Sequence, residues 1–323
     1  MSTLTPDPVA PASIERRGIR LGDVLFRGVA AVAAAGVAAL LVFIAYKVFA
    51  LAWPAMQEFG LSFIWTEAWN PNTNVYGALT FIYGTIVTAF IALLLATPLS
   101  IAIALFLTEL APKRLAAPIA TMVELLAAIP SVVLGLWGIL VFGPWVAQHL
   151  EPWLQNWFGF LPIFSGDPSQ AGVLPAALVL TIMIIPITSA ICRELFSRVP
   201  SDLTSGSLAL GSTRWEAIRR VALPYAAPGI SAAVLLGLGR AFGEAIAVTQ
   251  VIGSGNSISR SLFAPGDTLA SRIASTYQGA SNDIEVQSLL YLGAILLVIS
   301  LITNVSAQMI VNKFQKARRM STG

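Results

Sequence analysis

Six times along its 323 residues the chain runs through an apolar stretch long enough to cross a lipid bilayer, and no other feature restricts its fold as much. A hydrocarbon layer of about 30 Å asks for about 20 residues at ~1.5 Å each. Runs of that length lie near 28–52, 78–107, 116–143, 172–192, 226–253 and 286–311. In lipid a backbone must satisfy its own hydrogen bonds, so each run is expected to be helical. Pro98, Pro130, Pro186 and Pro228 fall inside the runs, and bends are expected there. Composition agrees, because 56% hydrophobic and 11% charged residues leave too little charge to cover a soluble protein of this size. The expected fold is an all-α integral membrane protein, a polytopic bundle of about six transmembrane helices.

The cations orient the spans. Lys and Arg number four before the first run, two in 108–115, five in 193–224 and four after 311. The alternate connections carry none in 53–77 and 144–171, and only Arg260 and Arg272 in 254–285. By the positive-inside rule both termini and the 193–224 loop are expected in the cytoplasm. The clustering of these cations between apolar runs is a topology signal and not a nucleic-acid footprint. The expected organisation is a cytoplasmic tail over 1–27, a transmembrane domain over 28–313 and a second tail over 314–323. The first run, at about 25 residues, exceeds a signal-peptide core and is read as a retained helix. Trp53, Trp65, Trp69, Trp145, Trp153 and Trp157 fall in or beside the outer connections, where interfacial anchoring accounts for them.

The longest cytoplasmic connection holds a helix–turn–helix pattern. Gly211 breaks its middle, and Thr213 with Glu216 three residues on is a capping-box signature. Trp215, Ala217, Ile218, Val221 and Ala222 then follow around one helical face, opposite Glu216, Arg219 and Arg220. The residues alone fit either an interfacial helix lying on lipid or a docking element for a partner.

Charges inside the spans are the candidate functional groups. Arg240 falls at the midpoint of 226–253, with Glu244 one turn on and Gly237, Gly239 and Gly243 beside them. Two readings stand: a neutralised pair that ties helices together, or an Arg facing a polar pathway and offering its planar donors to an oxyanion. Glu124 is open between a helix–helix hydrogen bond and a pathway role, whereas Lys47 can snorkel to the outer interface. His149, the only histidine, is read as a solvated outer-loop residue; no metal site, cofactor or catalytic residue is expected. Cys192 is the only cysteine, so no internal disulfide can form. No phosphate-cradling Gly-rich loop ending in Lys-Ser or Lys-Thr occurs, so the chain is not expected to use ATP by itself. An intramembrane enzyme would need a nucleophile–base pair or aspartates at depth, and the spans contain no Asp.

The 193–224 loop resembles the signature of ABC-importer permeases, in which Glu-Ala-Ala, a Gly and then Leu-Pro build the helix that docks into the ATPase. Gly211, Val221, Leu223 and Pro224 occupy the matching positions, while Ser205, Gly206 and Ser207 stand where Glu-Ala-Ala would be. The stretches Pro98 to Ala104, Thr108 to Pro112, Glu124 to Leu136 and Leu236 to Val248 are similar to the C-type permease of the phosphate-specific transporter. The likeness runs from about 78 to 313. It implies the type I ABC importer permease fold and a non-catalytic subunit of an ATP-driven phosphate importer. It further implies a related second permease, two copies of a cytoplasmic ATPase and an extracytoplasmic phosphate-binding protein as partners. It places Arg240 and Glu244 on the substrate pathway, where the depth of Glu124 makes that residue a further candidate, and it assigns the loop residues above to ATPase coupling, which Trp215 and Ile218 are expected to join through a shared apolar face. A permease for sulfate or molybdate is the nearest alternative, and a secondary transporter the next.

Overall fold

The computed structural model describes residues 21–321. Among them the regular structure is helical, joined by one isolated bridge between Asn70 and Val75. Six helices are long and apolar enough to cross a membrane. The expected tail residues 1–20 and 322–323 lie outside the described residues, but 21–27 and 314–321 are helical, so both terminal helices extend into segments read as tails.

By its contacts the chain divides into residues 1–47 and 48–323. Helix α1, Leu21–Phe59, runs through both. Its first part is exposed and apolar all round, and Lys47 Nζ lies 5.6 Å from the centre of the Phe43 ring.

In the larger unit α2, Leu79–Leu110, precedes α3, Lys113–Ala128, and α4, Ser131–Phe158. The expected third span, 116–143, is therefore two helices. Ile129 is extended, at ψ 125°, because the residue before a proline is excluded from the helical region and Pro130 has no N–H to continue the ladder. The membrane-length piece begins after the break and continues to Phe158, through residues assigned to an outer loop. Pro98, Pro186 and Pro228 each stay within a continuous helix.

Helix α5, Val173–Ser197, is the buried centre of the unit. Two short helices of the 193–224 connection follow: α6, Ser201–Ala209, and the start of α7, Arg214–Gly243. Gly229, Ala233, Gly237 and Ala241 recur every four residues, so they share one face of α7. That face meets α5, where a Cβ on Gly237 would lie 3.0 Å from Ile184 Cγ2 and 3.1 Å from Thr188 Oγ1. Lipid gives helices no hydrophobic reason to associate, so close packing over small residues does the work. Ala89, Ala92 and Ala96 of α2 complete the contact with Leu180, Ile184, Ala241 and Phe242.

The 226–253 run is also interrupted. α7 ends at Gly243, Glu244 is extended at ψ 110°, and α8, Ile246–Val251, begins after it. Three glycines in seven residues weaken the helix here, each by about 0.5–1 kcal/mol relative to Ala. Glu244 then caps the new start, its Oε1 accepting from Ala247 N at 3.3 Å.

Segment 254–285 is no simple loop. Its first part folds back on the start of α5, whose orphan N–H groups need acceptors. Gly172 N donates to Val251 O at 3.0 Å, Val173 N to Ala264 O at 3.2 Å and Leu174 N to Leu262 O at 2.8 Å. Helix α9, Leu269–Thr276, and α10, Asp283–Ser321, complete the chain. The end of the unit at 53–77 is an aromatic core in which Phe63 stacks on Tyr291 at 4.4 Å and Trp69 meets Tyr76 and Phe81 edge-on. Trp69 is thus 7% exposed and not an interfacial anchor, whereas Trp53, Trp65, Trp145, Trp153 and Trp157 remain exposed.

Candidate functional site

Arg240 sits in the last turn of α7, not at the middle of a span, beside the interruption between α7 and α8. Its level in the bundle is nonetheless central. Ala241 and Phe242 pack against Ala92, near the middle of α2, and against Leu180 and Ile184 on α5. Arg240 makes no ion pair among the described residues, and its Nε is buried without a hydrogen-bond partner. The expected pairing with Glu244 is not formed, because the Glu244 carboxylate is turned to the N-terminus of α8. Beside the guanidinium helix, Gly239 and Gly243 face open space. Thr188 Oγ1 on α5 and Gln250 Oε1 on α8 are also buried and unpartnered. Arg240 Nε is thus a buried donor left unsatisfied at mid-bundle, which is costly unless water or a polar solute completes it.

Glu124 forms an ion pair from α3 to Arg193 on α5. Arg193 was counted among the loop cations, but α5 carries it a full turn inside the helix end. A stronger omission is Arg272, which is 9% exposed. Its Nε lies 3.0 Å from Asp267 Oδ2, a second nitrogen donates to Asn256, and the guanidinium covers the Phe81 ring at 4.7 Å. Burial lowers the Arg272 pKa from its usual value, opposed by Asp267; burial raises the Asp267 carboxyl, opposed by Arg272. The available signal was Thr268, an N-cap type between the two charges, which accepts from Ser271 N at 3.1 Å.

The 193–224 connection forms as its residues dictate. Gly211 takes φ +91°, with Gly211 N donating to Leu208 O at 3.0 Å and Ser212 N to Ser207 O at 3.3 Å, the two bonds of a Schellman turn. Thr213 and Glu216 close the capping box. Ser205 and Gly206 are exposed on α6, and Ser207 Oγ lies 2.7 Å from Ser212 Oγ. Trp215 and Ile218 do not share an exposed face: Ile218, with Ala217 and Ala222, is buried, while Val221, Leu223 and Pro224 are half-buried. The apolar groups presented outward are Trp215, Leu203, Leu208 and Leu210, the last 92% exposed.

His149 Nδ1 lies 3.1 Å from Trp145 O, and among the described residues no three His, Cys, Asp or Glu side chains gather to hold a metal ion.

Comparison with known proteins agrees with this architecture. The family described as binding-protein-dependent transport system inner membrane component matches residues 96–316. The phosphate transport system permease protein PstC of Mesorhizobium japonicum is 44% identical over 288 residues, covering 88% of this chain and 88% of that protein. The protein of the same description from Pasteurella multocida is 43% identical over 268 residues, covering 82% and 83%. Among solved structures, a chain of a bacterial alginate ABC transporter, in complex with an alginate pentasaccharide-bound periplasmic protein, aligns with a TM-score of 0.61. It is 18% identical and covers 92% of this chain and 99% of that one, a likeness of fold alone.

Proposed function

The chain belongs to the family of binding-protein-dependent transport system inner membrane components, and within it to the PstC permeases, and on that premise we propose that it is the membrane-spanning subunit of an ATP-driven phosphate importer. The observation that carries the reading is Arg240, an unpaired guanidinium level with the middle of α2 and α5, at a helix interruption. An Arg at bilayer depth costs roughly 2.5–3.5 kcal/mol on insertion scales. A tetrahedral oxyanion offers what its planar donors lack, two acceptors in one plane. Glu244 holds the start of α8 and stands near as a like charge to the cargo, so the anion is oriented without being retained. Passage demands weak sites of this kind.

Energy comes from partners. Leu210 and Trp215 are the most exposed apolar side chains of the α6–α7 turn, and we assign this turn to the groove of a cytoplasmic ATPase. A related second permease, two ATPase copies and an extracytoplasmic phosphate-binding protein complete the assembly in this reading. Both termini and 193–224 face the cytoplasm, following the cation count.

Proteoliposomes holding the complete complex test the proposal. ATP-dependent movement of labelled phosphate is expected, with sulfate and molybdate excluded. Movement of sulfate in preference to phosphate would reassign the cargo, and movement without ATP would overturn the coupling.

A further inference from the structure

We infer that Arg193 is a second contact for the transported anion, on the cytoplasmic side of Arg240, and that Glu124 occupies its guanidinium in the conformation described here. The inference rests on the reading of the chain as a phosphate permease.

The two cations are staged along one helix. Ala241 and Phe242, next to Arg240, pack at Leu180 and Ile184 of α5. Arg193 lies nine to thirteen residues further along that helix, about 14–20 Å toward its cytoplasmic end. An anion leaving Arg240 has the stretch of α5 between Ile184 and Arg193 to pass before it meets that second cation. A relay of weak sites lowers the barrier of such a passage, whereas one strong site would trap the ion.

The state of the Arg193 pair suits a relay better than a tie. Its side chains remain 32% and 52% exposed for Arg193 and Glu124, beside a narrow cleft with Ser189, Ala120 and Leu107. A half-open ion pair adds little to stability, so it exchanges partners easily. The neighbouring cation Arg198 pairs with Glu194 four residues back, at 2.8 Å, and so bridges no second helix. Carboxylate and phosphate present the same paired oxygens to a guanidinium, so one replaces the other without new geometry. Return of Glu124 then displaces the anion toward the cytoplasm. The break at Ile129 and Pro130 separates α3, which carries Glu124, from α4, which leaves α3 free to withdraw and return.

The test probes the site from its own side. Proteoliposomes hold the complete complex with its ATPase facing the bath, the binding protein and labelled phosphate inside, and unlabelled inorganic phosphate in the bath, with sulfate as the ionic-strength control. Bath phosphate is expected to slow the ATP-driven exit of label by filling the Arg193 site. Glu124→Gln frees the guanidinium and lowers the half-inhibiting phosphate concentration about tenfold, Arg193→Gln raises it at least about tenfold, and Arg193→Lys falls between. If Arg193→Gln fails to assemble, Glu124→Gln retains the cation and decides alone. Variants that lower rate or abundance while leaving the half-inhibiting concentration unmoved overturn the inference and make the pair a tie. Absence of phosphate movement by the unaltered complex overturns the permease reading itself.

Discussion

Asp267 and Arg272, five residues apart, are joined at 3.0 Å between Oδ2 and Nε with the carboxylate wholly buried. The pair pins the segment after α8 to α2, where Leu269 N donates to Thr85 Oγ1 at 2.9 Å. Thr249 of α8 also reaches this segment, at the Ser271 carbonyl. This ion pair and the helix interruption beside Arg240 therefore belong to one connected structure.

Removing one member of that pair strands a buried charge, which costs roughly 3–5 kcal/mol. Arg272→Met is expected to lower the unfolding temperature of the purified complex sharply, and Asp267→Asn combined with Arg272→Met to recover most of the loss. The pH dependence has a definite sign. Burial raises the Asp267 carboxyl in the folded state, so its contribution to stability is complete below the unfolded value of about 4 and is lost as pH rises through the folded value. Stability measured from about pH 4 upward should lose part of its downward slope in Asp267→Asn. An unchanged slope would show that this carboxyl does not titrate upward on folding.

Close approach of backbones predicts a contrast between two glycines. A Cβ on Gly84 would lie 1.9 Å from the Asp267 carbonyl, and neither chain can yield there. Gly84→Ala is expected to abolish membrane abundance. Gly206, with nothing within 4 Å of its Cβ position, sits in a helix interior, so Gly206→Ala should stabilise α6 by about 0.5–1 kcal/mol. Immunoblots of membranes and thermal scans compare them; equal abundance would refute the packing of α2 on this segment.

What the sequence disclosed follows from which forces are local. Six membrane-length helices, the Gly211 turn and the Thr213 to Glu216 box depend on residues within a few positions of one another, and they could be read. The breaks at Pro130 and Gly243 escaped because a hydropathy run records apolar content and not helix continuity. Pro98, Pro186 and Pro228 show that proline alone does not predict a break. Burial of Trp69 and Arg272 depends on a partner about 200 residues away in the chain, as Trp69 and Arg272 themselves are, 5.8 Å apart between guanidinium carbon and ring centre. The partner of Glu124 was hidden for the same reason.

The α6–α7 turn yields both a topology test and a coupling test. Leu210→Cys, at a fully open position, should react with an impermeant thiol reagent only after the cytoplasmic side is exposed, with native Cys192 silent because it is buried. Labelling in intact cells would reverse the assigned orientation. Gly211→Val forces a β-branched side chain into φ +91° and should cost about 1–2 kcal/mol or redirect the turn. ATP hydrolysis by the complex is expected to continue while phosphate movement stops; full transport by this variant would remove the turn from coupling.

The decisive experiments concern Arg240 and Glu244, whose separation in the structure gives them distinct expected phenotypes. Arg240→Lys keeps the charge and loses the planar fork, so phosphate transport should fall at least about tenfold with normal abundance. Arg240→Ala should abolish it. Glu244→Gln keeps an oxygen for Ala247 N, whereas Glu244→Ala leaves the start of α8 uncapped, at a cost of about 0.5–2 kcal/mol. Stability should therefore separate those two variants, while the loss of negative charge, and with it slower anion release, is common to both. Exchange of the charges by Arg240→Glu with Glu244→Arg cannot restore function, because the two side chains do not form a pair that is indifferent to direction. Phosphate movement at the unaltered rate by Arg240→Ala, or by the exchanged pair, removes Arg240 from the pathway and leaves its unpaired guanidinium to be satisfied by a neighbouring subunit.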